Sequence, residues 1–123
     1  MDRQIYQEEI IERYKRPRNK GEIKDGVVAE EANFLCGDRL RIGIKMDKQG
    51  KIVLAKFEGG GCAVSMAAVD MFLDRIIGIT ISEAKKITGK EIEKMLGVEL
   101  SMSRKKCAYL GLEVLRKIKT GDE

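Results

Sequence analysis

Cys36, in the run Asn33-Phe-Leu-Cys-Gly-Asp38, Cys62, directly behind Gly59-Gly60-Gly61, and Cys107, in Lys106-Cys107-Ala108, are the only thiols of a 123-residue chain that contains no histidine. As thiolates these side chains are soft metal ligands and good nucleophiles, so the chemistry open to them is metal or iron–sulfur binding and thiol exchange. Three widely separated cysteines make a poor disulfide framework. The missing histidine removes Ser-His-Asp and Cys-His catalysis, histidine-ligated zinc enzymes and histidine-held haem. Asp38 lies two residues beyond Cys36, which on extended backbone turns both side chains to one side. The expected set is therefore three thiolates and one carboxylate: Cys36, Asp38, Cys62 and Cys107.

A carboxylate is harder and more exchangeable than sulfur, so such a site would hold iron less firmly than four thiolates and suits delivery better than storage. Ordinary roles compete for each residue. Asp38 could serve only its turn, the glycines could form a plain strand-to-helix turn, and a cysteine often packs as a small hydrophobe. Cys107 sits on an apolar stripe and is the most open to that last role, although its context, like that of the other two, favours an exposed ligand.

The elements that must position these residues follow from periodicity. Residues 2–16, with Ile5, Tyr6, Ile10, Ile11 and Tyr14 at helical spacing, predict an amphipathic helix stopped by Pro17-Arg18-Asn19. Ile23, Val27 and Val28 fall in a short extended segment. Leu40, Ile42, Ile44 and Met46 alternate with Arg39, Arg41, Gly43 and Lys45, giving a strand with one buried face. A turn at Asp47-Lys48-Gln49-Gly50 returns the chain along Lys51 to Phe57. In an antiparallel hairpin the entrance and exit share one end of the sheet, so Cys36, Asp38 and Cys62 can converge there. Residues 62–77 form an apolar helix ended by Gly78, Thr80-Ile-Ser-Glu83 and Thr88-Gly-Lys-Glu91 are capping boxes, the second helix closing near Gly97, and Ser103 caps a last helix carrying Cys107, Leu110, Val114 and Ile118 on one face. Cys62 and Cys107 then lie near helix N-termini, where backbone N–H groups favour a thiolate. The tail from about Thr120 reads as disordered.

Composition bounds the rest. At 43% hydrophobic and 36% charged the chain builds one core, residues 1–123 as a single domain. With no signal-peptide core or membrane-length apolar run, it reads as cytoplasmic, without a membrane partner. Net charge +4 favours an acidic partner surface. The clusters Arg13-Lys15-Arg16-Arg18-Lys20 and Arg104-Lys105-Lys106 lack interleaved aromatics and read as solvated faces or a docking patch for an acidic protein, not as a nucleic-acid site. Gly59-Gly60-Gly61-Cys62 lacks the Gly-Lys-Ser/Thr of a P-loop.

Taken together, these residues resemble the U-type iron–sulfur cluster assembly scaffolds, the IscU, SufU and NifU N-terminal domain family. Tyr14 with Pro17-Arg18-Asn19 and Gly21 is similar to the family's N-terminal signature, Asn33 to Asp38 to its first cysteine loop, Phe57-Glu-Gly-Gly-Gly-Cys62-Ala63 to its second and Lys106-Cys107-Ala108 to its third. The resemblance implies an α+β fold of SufE/IscU type, a small antiparallel sheet of about three strands with helices packed on one face. It also implies Cys36, Cys62, Cys107 and Asp38 as ligands of a [2Fe–2S] cluster, or of Zn²⁺ in the cluster-free form, with Asp38 promoting release. Cys107 and Cys36 are the candidate acceptors of persulfide sulfur from a cysteine desulfurase. The implied partners are that desulfurase and apo iron–sulfur proteins, with a homodimer around a shared cluster left open. A scaffold or carrier is expected before an enzyme; the alternative is a zinc-dependent, SufU-like sulfurtransferase. A purely structural zinc module ranks below both, since no Cys-x-x-Cys knuckle is present. The chain departs from the IscU branch at Lys106, where that branch has histidine, and at Leu100-Ser-Met-Ser-Arg104, which replaces a proline-containing chaperone-recognition segment. Residues 79–102 are too short for the insertion typical of bacterial SufU.

Overall fold

Alternation of apolar and polar residues builds the sheet. In the computed structural model, which describes residues 3–33 and 38–119, three strands, β1 (Val27–Asn33), β2 (Asp38–Met46) and β3 (Ile52–Gly60), form an antiparallel sheet in the order β1-β2-β3. Leu40, Ile42 and Ile44 of β2 and Ile52, Ala55 and Phe57 of β3 are buried on one face. Burying each large apolar side chain is worth about 1.5–3 kcal/mol, which makes this face the strongest determinant of register. The β2–β3 register slips between Lys45 and Met46, pairing Lys45 with Leu54 and Met46 with Ile52. Val53 is thereby left over, and Met46, Val53 and Leu54 are exposed; Met46 does not continue the buried face as its alternation predicted.

Five helices, α1 (Arg3–Lys15), α2 (Ala63–Ile76), α3 (Ile81–Lys85), α4 (Gly89–Leu96) and α5 (Met102–Arg116), complete the described chain. α2 packs on β3 and α5 on β1 and β2, while α1 lies against α2. Both predicted capping boxes form, Thr80 with Glu83 and Thr88 with Glu91, and α4 closes at Gly97. The last helix starts earlier than expected: Ser101, not Ser103, is its N-cap, accepting from the Arg104 N–H at 3.3 Å. Two serines two residues apart satisfy the same preference, and the local spacing does not separate them. Residues from 120 onward, where a disordered tail was expected, lie outside the described residues.

α1 differs most from its reading as an apolar stripe. Ile10 is buried, but Ile11 is 49% and Tyr14 47% exposed, and among the residues of α1 whose side chains are described the other buried one is Arg13. Arg13 is thus not part of a solvated basic face. Its guanidinium donates to Asp70 Oδ2 at 2.7 Å and pairs with Asp74 at 2.7 Å. Asp70, on α2, is completely buried. Asn19 supplies the remaining partners: its backbone N–H donates to Asp70 Oδ1 at 2.8 Å, and its amide nitrogen donates to the Asp70 carbonyl at 2.8 Å and Asp74 Oδ1 at 2.9 Å. Burial opposes ionisation of Asp74, yet hydrogen bonds from Asn19 and Arg13 prevail and hold its carboxyl below the usual range.

Pro17 ends α1, and the chain then fastens to the outer edge of β3. Phe57 N–H donates to Asn19 O at 2.9 Å and Gly21 N–H to Phe57 O at 2.8 Å. At the other end of β3, Ile52 N–H donates to Ile79 O at 2.7 Å and Gly78 N–H to Ile52 O at 2.8 Å.

Because breaking a buried ion pair strands the surviving charge, Asp70→Ala is expected to cost about 3–5 kcal/mol in denaturant unfolding. A loss below about 1 kcal/mol would show that Arg13 is adequately served by Asp74 and solvent.

Candidate functional site

The register brings the strand ends that flank Cys36 and precede Cys62 to one end of the sheet. Asn33 pairs with Asp38, Arg39 with Gly60 and Leu40 with Gly59, so the start of β2 lies beside the end of β3. Cys36 falls outside the described residues, and of Asp38 only the backbone strand position is described. Among the described residues, no three histidine, cysteine or acidic side chains gather as a metal-binding group.

Cys62 is the N-cap of α2. Its sulfur accepts from the Ser65 N–H at 3.4 Å, and its thiol lies 3.6 Å from Ser65 Oγ. The Ser65 hydroxyl in turn donates to the Cys62 carbonyl at 3.0 Å. Helix N-termini present N–H groups without intrahelical partners, so a sulfur here meets donors that stabilise negative charge. Cys62 is half-buried, as a site opening to solvent requires.

Cys107 lies farther in, on α5 nearly two turns beyond Ser101. It is 2% exposed, a correction to its expected exposure: the apolar stripe of α5 turns it inward among the core-facing residues. Its position relative to Cys62 follows from how the helices run. Val64 shares a groove with Ser101 and Arg104, and a side chain added at Gly111 would meet Val69 at 3.2 Å. Hence α2 and α5 run in the same direction with both N-termini at the end where β3 exits, and Cys107 lies alongside the first turns of α2. Lys106, beside it, is exposed.

The glycine run divides into two roles. Gly59 has φ +144°, and a Cβ there would fall 2.0 Å from the Arg39 carbonyl oxygen, so the close approach of β2 and β3 demands glycine. Gly60 lies outside the left-handed region, and among the described residues a Cβ added to it meets nothing within 4 Å. The run floors a cleft of about 280 Å³ with Phe57 and Met66, walled by Tyr14 and Pro17, with Lys20 at its rim. These three are held there by the Asn19–Asp70 and Asn19–Phe57 bonds. Reasoning from motifs missed this support. Its signal was Asp70 itself, a lone charge inside the apolar run Ala67 to Leu73.

Gly59→Ala is expected to destabilise by more than about 2 kcal/mol, while Gly60→Ala stays within about 0.5 kcal/mol. Thermal and denaturant unfolding of the pair checks this, and equal effects would contradict the division of roles.

A model of the NifU-like N terminal domain matches residues 5–119. The zinc-dependent sulfurtransferase SufU of Bacillus subtilis is 39% identical over 131 aligned positions, covering 92% of this chain and 88% of that protein. The iron–sulfur cluster assembly scaffold protein IscU 1 of Archaeoglobus fulgidus is 34% identical over 114 positions, covering 92% of this chain and 73% of the relative. The chain spans 36–39% of the length of the nitrogen fixation NifU proteins it also matches. A crystal structure from the thermophilic Fervidobacterium islandicum AW-1, of a protein designated an iron–sulfur cluster assembly scaffold for the SUF system, superposes with a TM-score of 0.78. It is 29% identical, with 96% of this chain and 98% of that one covered.

Proposed function

Because this chain belongs to the NifU-like N-terminal domain family, we propose that it is a scaffold on which an iron–sulfur cluster is assembled and from which the cluster passes to apo-proteins. The observation that supports this reading is the shared end of the sheet: the start of β2 lies beside the exit of β3, which leads into the N-terminus of α2, and Val64 of that first turn lines a groove with Ser101 and Arg104 at the start of α5. Those four places bear Asp38, the glycine run, Cys62 and the approach to Cys107, and Cys36 precedes β2 by two residues. In this reading Cys36, Cys62, Cys107 and Asp38 hold a [2Fe–2S] cluster as cargo. Sulfur arrives from a cysteine desulfurase as persulfide: a thiol sulfur of the scaffold attacks the terminal sulfur and the donor leaves as a thiolate. Cys36 and Cys107 are the proposed acceptors. Iron and electrons come from outside the protein.

The family alignments favour the scaffold over its nearest rival. The archaeal scaffold aligns over 114 positions for the same 92% of this chain that takes 131 positions in the Bacillus protein. As 131 exceeds the whole chain, that relative carries positions with no counterpart here. The rival, a zinc-dependent sulfur acceptor using the same Cys₃Asp set, draws support from the higher identity to SufU and from Lys106. A protonated, exposed lysine is a poor ligand, which leaves the fourth bond to Asp38 or an outside group.

Anaerobic purification followed by metal and sulfide analysis separates the two. The scaffold predicts iron and acid-labile sulfide in equal amounts with visible charge-transfer bands, lost in Cys36→Ser; about one zinc per chain without sulfide supports the acceptor. Asp38→Ala is expected to retain its cluster several-fold longer than wild type on mixing with an apo-acceptor, since the labile ligand is gone. Faster loss would remove Asp38 from release.

A further inference from the structure

Among the described residues three polar side chains are buried: Arg13, Asp70 and Ser65. The first two serve each other, whereas Ser65, 3% exposed in the first turn of α2, faces Cys62. A buried hydroxyl costs free energy unless it is bonded, and alanine is the better helix former at such a place. The ordinary role of a helical serine is a bond back to an earlier carbonyl, and Ser65 makes one, to the Cys62 oxygen at 3.0 Å. That carbonyl does not depend on it. The Met66 N–H donates to the same oxygen at 3.0 Å, as the first bond of the helix. The hydroxyl's other neighbour is the Cys62 sulfur, 3.6 Å away, whose thiol donates toward Oγ. Thiol, hydroxyl and carbonyl thus form a short relay, and its middle member can turn about its own C–O bond without moving a heavy atom.

We infer that Ser65 is a positioning residue for Cys62: its hydroxyl turns from the carbonyl to the sulfur when that sulfur becomes a ligand, and the bond it then donates weakens the sulfur's hold on the cluster. The inference rests on the ligand role proposed above for Cys62 and adds a residue that controls it. When the sulfur bonds to iron its S–H bond breaks, the proton passes to solvent, and no electron changes hands. The contact with Oγ would then set lone pair against lone pair, and the hydroxyl reverses to avoid it. Reversal strands nothing, because the Met66 N–H keeps the carbonyl. With the Ser65 N–H already aimed at it from 3.4 Å, the sulfur accepts two bonds from one residue. Hydrogen bonds to ligand sulfur draw electron density away from iron and raise the reduction potential of a cluster. They also lower the donor strength of the sulfur, so Cys62 joins Asp38 among the ligands that yield readily.

The test reconstitutes the protein anaerobically from ferric iron and inorganic sulfide and compares Ser65→Ala with Ser65→Thr. In Ser65→Ala the reduction potential is expected to move to more negative values and transfer to an apo-acceptor to slow several-fold, with Ser65→Thr restoring both because it keeps the hydroxyl. The unfolding midpoint of apo Ser65→Ala is expected to match the wild type, since the carbonyl that the hydroxyl served retains Met66. A serine with a purely structural role gives the opposite pattern, a lowered midpoint with an unmoved potential, and that result overturns the inference. Exchange into D₂O adds a readout confined to the bond itself. The Fe–S(Cys) stretching bands in resonance Raman are expected to shift on exchange in wild type, and to shift less in Ser65→Ala; equal shifts overturn the inference. A wild-type protein that takes up no cluster overturns the ligand role of Cys62 instead, and the inference with it.

Discussion

One buried carboxylate joins the parts of this molecule that no strand or helix joins by itself. Asp70 lies inside α2, receives the guanidinium of α1 through Arg13, and receives the backbone and amide of Asn19 from the segment after Pro17. Asn19 also accepts from Phe57 of β3. Helix, loop and strand are thereby fixed to each other within four residues of the glycine run. Such a node is costly to bury unless every lone pair is used, and here the acceptors of Asp70 are met from two directions. The wall of the cleft, Tyr14 and Pro17, has its place because this node holds both its flanks.

The sheet supplies the second constraint. Its apolar face determines which residues of β2 and β3 face each other, and the register then places Gly59 and Gly60 beside the residues that follow Asp38. One glycine is demanded by the approach of the two strands, and its neighbour is not. The course of α2 and α5 brings two helix N-termini to the same end, so backbone donors collect there beside Cys62.

Much of this was legible in the chain. Period-two alternation located β2 and most of β3, and the Thr-x-x-Glu boxes located α3 and α4, because each pattern reports a local preference that the tertiary structure does not oppose. What was not legible depended on partners distant in sequence. Arg13 looked like one cation among several until Asp70, 57 residues away, was placed beside it. Ile11 and Tyr14 fit a helical stripe, yet from residue 7 onward the buried positions of α1 are Ile10 and Arg13. The bulge at Val53 has no local signal in a run of apolar residues. For the site, Cys62 at a helix start follows from the glycines before it, whereas the burial of Cys107 needed the packing of α5 on the sheet.

Both ends of β3 are already engaged along its outer edge, by Asn19 and Gly21 at Phe57 and by Gly78 and Ile79 at Ile52. A strand whose main-chain donors and acceptors are occupied in this way offers no template for a visiting chain, apart from a short central stretch. Association by sheet extension is thus closed along that side. A second chain meeting this side of the sheet would have to bind through side chains and not through the strand backbone.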